Sequence, residues 1–167
     1  MVNETEIGVL LGAINDAQET IRAFDLKAEI LTGILTLLIS LVAFVWHDTD
    51  ACLLQYLDIL IIIAAFLAIG CLGAVLYPAN NPLGCIKNGT YIPKGVYYLS
   101  GSTLKKESVS DIAQKIANTN WNEELVFELM KVSSIRERKN HWFVWSMRIS
   151  AAVFVLLFIL CIVRYIK

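Results

Sequence analysis

The sequence predicts a mostly α-helical membrane protein: a three-span transmembrane helix bundle with a small helical cytosolic cap formed by extensions of spans one and three. Three observations predict it. The 167-residue chain is 57% hydrophobic with a mean hydropathy of +0.62, which leaves too little polar surface for an ordinary soluble domain. Three stretches, 28–46, 56–77 and 142–163, meet the roughly 20 mostly apolar residues that a helical crossing needs. Aromatic residues mark the ends of these stretches as an interfacial belt does: Trp46 for the first, Tyr56 and Tyr77 for the second, Trp142, Trp145 and Tyr165 for the third.

The first element is a long helix from about residue 4 to residue 46. Ile7, Leu10, Ile14, Ala17, Ile21, Phe24, Ala28, Leu31, Leu35 and Leu38 recur at alternating intervals of three and four, the pattern of a packing seam that continues into the membrane. The seam is buried either against another helix of the chain or against another copy. We expect both, with the cytosolic end packed within the chain and part of the seam left for self-association. This stretch is not a cleaved leader, because it lies far from residue 1, follows an acidic segment and lacks a basic flank.

After the second span, Pro78, Pro82 and Pro93 with Asn80, Asn81, Gly84, Gly89 and Gly95 exclude a continuous helix, and Asn88-Gly89 reads as a hairpin turn in a short ribbon. Ser108 with Asp111 forms the capping box of a short helix that runs to Asn118. Asn120, with Glu123 three residues on, starts a second long helix. Its apolar edge, Leu125, Leu129, Val132 and Ile135, leads into Trp142 and the third span. The chain thus divides into a cytosolic juxtamembrane helix (1–27), a transmembrane hairpin (28–77), a cytosolic cap (78–141) and a third span with a short external tail (142–167).

Lys and Arg set the orientation. The connection 47–55 carries none, whereas the segment between spans two and three carries Lys87, Lys94, Lys105, Lys106, Lys115, Lys131, Arg136, Arg138 and Lys139. The central segment and the N-terminus are therefore expected in the cytosol. So little faces outward that a receptor for external ligands does not fit.

Several functions are excluded or disfavoured. A net charge of -1 lacks the basic face that general nucleic-acid binding needs, although a local basic pocket remains compatible with it. Cys52, Cys71, Cys85 and Cys161 have no metal or redox spacing and read as small packing residues. His47 and His141 fall on opposite sides of the membrane, no Ser or Cys sits beside a base, and no glycine-rich phosphate loop follows a strand. We expect no enzyme, no metal and no cofactor.

Asp25 and Lys27 precede span one, Asn81 and Pro82 follow span two, and Lys139 precedes span three. Threading brings all five to one cytosolic interface, where they are candidates for a gate or for ligand coupling. The plain alternative is that Asp25 pairs with Lys139 to fix helix order while other charges snorkel. Thr32, Thr36 and Ser40 form a hydroxyl stripe on span one, and Ser146 and Ser150 lie in span three. Such residues serve close helix packing or, in an oligomer, line a pore. Asp58 and Arg148 lie near enough to interfaces to snorkel. In the cap, Lys105 and Lys106, with Lys87 and Lys94, suit a phosphate. Tyr91, Tyr97, Tyr98 and Trp121 suit a stacked base, though each also reads as ordinary surface or core.

Asp25-Leu26-Lys27-Ala28 at the start of span one, Pro78 with Asn81-Pro82 after span two, and the helix carrying Lys139 into span three resemble the transmembrane effectors of bacterial Pycsar antiphage systems, from about Asp16 onward. The resemblance implies a multi-pass protein of the bacterial inner membrane. It further implies a response to a cyclic pyrimidine mononucleotide made by a partner cyclase and an action that impairs the membrane in abortive infection, while the α1 seam and the hydroxyl stripe lead us to expect a homo-oligomer in the bilayer. Leu83-Gly84-Cys85 departs from the family pattern, in which aromatics are more usual after Asn-Pro, and this bears on the ligand more than on the architecture. The competing class is a non-signalling membrane scaffold or a holin-like pore former. The size of the cap and the long seam helix favour a regulated protein.

Overall fold

The computed structural model describes residues 4–45, 52–77 and 108–166. The expected ribbon around Asn88-Gly89 lies outside these residues. Four helices form: α1 (Glu4–Val45), α2 (Cys52–Leu76), α3 (Val109–Ala117) and α4 (Trp121–Ile166), with no strand among the described residues. α1, α2 and α4 are each long and apolar enough to cross a membrane.

The chain divides into two compact units, one comprising 1–20 and 79–136, the other 21–78 and 137–167. α1 and α4 contribute residues to both. The second unit is the membrane bundle. Its core is built on sevenfold repeats in all three helices: Ala28, Leu35 and Val42 on α1; Leu54, Ile61, Ala68 and Val75 on α2; Ser146, Val153 and Leu160 on α4. A repeat of seven keeps one stripe of each helix facing its neighbours over many turns. The alanines and serines let the backbones approach, which matters in lipid, where packing rather than water exclusion drives association.

In the first unit, α1 contributes buried Ile14 and Ala17, and α4 contributes Leu125, Phe127 and Val132. α3 is a surface helix with no buried residue. It starts with the expected capping box: the Asp111 N–H donates to Ser108 Oγ over 3.3 Å, and the Ser108 N–H donates to Asp111 Oδ2 over 3.2 Å.

The α1 seam is occupied along its described length. Ile14, Ala17, Ala28 and Leu35 are buried, and Ile7, Leu10, Ile21, Phe24, Leu31 and Leu38 are partly so. The seam thus packs within the chain, most fully at Ile14, Ala17, Ala28 and Leu35.

Candidate functional site

Asp25 and Lys139 meet. The Lys139 ammonium donates to Asp25 Oδ1 and ties α1 to α4. Beside them the Phe24 and Phe143 rings pack at 5.5 Å between centroids, so an apolar contact and a charged one close the same helix crossing. The lysine side chain is 11% exposed and the aspartate 33%, which leaves the carboxylate partly hydrated. Asp25 lies four residues past Ile21 and Lys139 two past Glu137, the positions where α1 and α4 enter the membrane unit. The pair satisfies the plain role of fixing helix order, and it also occupies the place where a gate would act.

Lys27 does not join them. Two residues along a helix turn it about 200° from Asp25, and it is exposed. Asn81 and Pro82 lie outside the described residues.

At the other end of the same unit is a pair that sequence reasoning missed. Arg164 Nη2 donates to Asp58 Oδ2 over 2.8 Å, joining α4 to α2. Asp58 is fully buried rather than snorkelling, and its second carboxylate oxygen has no partner among the described residues. The available signal was positional. Asp58 is early in an outgoing-to-incoming span and Arg164 late in the next, so antiparallel threading sets them at one level.

The hydroxyl stripe is satisfied by its own helix. Thr32 Oγ1 donates to the Ala28 carbonyl (2.8 Å), Thr36 Oγ1 to that of Thr32 (2.8 Å) and Ser40 Oγ to that of Thr36 (3.0 Å). Thr36 and Ser40 are exposed. Ser146 makes the interhelical contact expected of small polar residues in a bundle, donating to the Ala68 carbonyl over 3.3 Å.

Among the ligand candidates, Trp121 is half-buried at the start of α4, and Lys105, Lys106, Tyr91, Tyr97, Tyr98, Lys87 and Lys94 lie outside the described residues. In the same unit as Trp121, an open cleft of about 440 Å³ is lined by Thr5, Glu6, Val9, Leu10 and Asn122. The Asn122 amide oxygen there has no partner among the described residues. Glu124 and Glu128 are buried further along α4, with Lys131 3.3 Å from Glu128. Glu6 and these acids make the surroundings of the cleft acidic among the described residues. Among the described residues no cluster of His, Cys, Asp and Glu could hold a metal.

The Pycsar effector protein domain matches residues 9–166. No curated protein and no solved structure matches the chain. The match covers nearly the whole sequence, and the chain belongs to the Pycsar effector family: it is a multi-pass membrane protein of antiviral defence, in a family linked to cyclic-nucleotide signalling.

Proposed function

We propose that this Pycsar effector is switched by a cyclic pyrimidine mononucleotide from a partner cyclase and, once switched, impairs the bacterial inner membrane as a homo-oligomer. The N-terminus and central segment lie in the cytosol, where the basic residues concentrate, and the 47–55 connection and the tail lie outside. The messenger's phosphate meets Lys105 and Lys106, and its base stacks on Tyr91, Tyr97 or Trp121.

The observation that carries this reading is the Asp25–Lys139 pair, which joins the two shared helices just inside the membrane unit. A partly hydrated pair there opens at modest cost, so ligand binding can bias it. A messenger acts only through its differential affinity for the two states, and a nearly complete switch takes about 5.5 kcal/mol. The phosphate and base contacts together are the source of that difference, and we take Asn81, Pro82 and Lys27 as the residues that transmit it.

The test is depolarisation of cells expressing the protein with and without the cyclase. Depolarisation is expected only with both, and Lys27→Ala and Lys139→Ala should lose it while still inserting. Equal toxicity without the cyclase would favour a holin-like pore, and none in either case a scaffold. Titrating purified protein with cyclic mono- and dinucleotides identifies the messenger.

A further inference from the structure

Of the exposed charged side chains in the membrane unit, Glu29 lies furthest along α1 and Arg148 further along α4 than Glu137 and Arg138. Neither Glu29 nor Arg148 has an ion pair or hydrogen bond among the described residues, and Arg148 has only the Trp145 ring, 5.6 Å from its guanidinium carbon. Their depths correspond. Phe24 and Phe143 touch, and Glu29 and Arg148 each lie five residues further along helices running the same way, about 7.5 Å of rise. Within one copy they stand on different outward faces. Between two parallel copies in one membrane they can meet at the same level.

The surface beyond each charge suits such a contact. α1 has three faces in its span: the buried line Ala28, Leu35, Val42; a bulky exposed one with Ile30, Ile34 and Leu41; and between them Glu29, Gly33, Thr36 and Ser40, all exposed. Gly33 has nothing within 4 Å of where a side chain would begin. Glycine in a helix interior costs about 1 kcal/mol relative to alanine, and no contact among the described residues offsets it here. A second helix lying close against the glycine does. On α4, Ala151 and Ala152 follow Arg148 and are exposed as well.

We propose that a second copy of this chain docks here, with Glu29 of one copy paired to Arg148 of the other and the Gly33–Ser40 line against α4 beside Ala151. Away from bulk water, an unpaired carboxylate and an unpaired guanidinium are both costly, and pairing them between copies relieves both. The two patches differ, so the contact is head to tail. In one membrane it repeats about an axis normal to the bilayer and closes into a ring if the rotation allows. The proposal rests on the self-association proposed above and adds its surface.

The full-length protein in detergent tests it by native mass measurement. Glu29→Arg and Arg148→Glu should each weaken association about tenfold, and the double reversal should restore it. Glu29→Cys on one tagged copy should crosslink to Arg148→Cys on another, and neither variant to itself. Restoration together with the mixed crosslink supports the proposal, and absence of either overturns it. A monomeric unmodified protein overturns self-association altogether. An unmodified oligomer that both single reversals leave intact keeps self-association, shows the two charges reaching lipid headgroups instead, and overturns this surface.

Discussion

At one end of the membrane bundle an acid–base pair keeps its carboxylate partly in solvent; at the other, the carboxylate is shut inside. Asp25–Lys139 and Asp58–Arg164 both tie α4 to a neighbour, the first to α1 and the second to α2. They differ in hydration, with Asp25 33% exposed and Asp58 not at all. A buried carboxylate has given up its water, so removing its partner strands a charge. A hydrated one can exchange its partner for water. The first kind of pair therefore fixes a structure, and the second can be opened and closed. The same chemistry at two depths gives the bundle one carboxylate that depends on its partner and one that water can also serve.

The largest effect should come from breaking the buried end. Arg164→Ala leaves the buried Asp58 carboxylate without its guanidinium and should cost about 3–5 kcal/mol. Unfolding in detergent measures it, and Asp58→Leu with Arg164→Leu should recover most of the loss, because removing both charges removes the desolvation cost as well. A loss no greater than that of Lys139→Ala breaks the comparison.

Next is the hydrated end. Lys139→Ala should cost about 1 kcal/mol or less, since water takes the ammonium's place at the 33%-exposed Asp25 carboxylate. The functional effect should be much larger than the stability effect, with depolarisation lost in Lys139→Ala at normal membrane levels. Exchanging the charges, Asp25→Lys with Lys139→Asp, sharpens the point. Recovered switching means the pair itself is the gate; continued loss means that Lys139 acts by holding a phosphate.

These two ends were not equally legible in the sequence. The three spans, the long helices and the Ser108 capping box follow from local rules of hydropathy, spacing and capping, and all appear where those rules place them. Asp25 and Lys139 stand where the apolar stretches begin, so threading alone set them side by side. Asp58 and Arg164 were harder. Each, judged singly, looks able to reach an interface, and only the rotation of α2 and α4 about their axes decides that Asp58 points inward. The α1 seam shows the same limit. Its period says that the face is buried, and the partner is settled only by three-dimensional packing, which here lies within the chain.

The smallest effect lies outside the bundle, at the start of α3. There Asp111 is held below the ordinary carboxylate range, first by the Ser108 hydroxyl, then by the Ser108 backbone N–H, with Lys115 adding to it. A carboxylate whose folded pKa is depressed stabilises the fold fully above its unfolded pKa. The contribution disappears as the pH falls from there through the folded value. Acidification through and below the ordinary carboxylate range should therefore fray the first turn of α3, where the Ile112 N–H donates to the Ser108 carbonyl. Asp111→Asn should abolish that dependence. Ser108→Ala should loosen the same turn at neutral pH by about 1 kcal/mol, or roughly fivefold in amide exchange, without moving the unfolding of the bundle, because α3 buries no residue. Exchange that is unchanged in the alanine variant would remove the cap as a local lock. A shift in global unfolding as large as that of Arg164→Ala would mean that a hydrated contact on a surface helix restrains the protein as strongly as a buried one, contrary to the contrast between the two ends of the bundle.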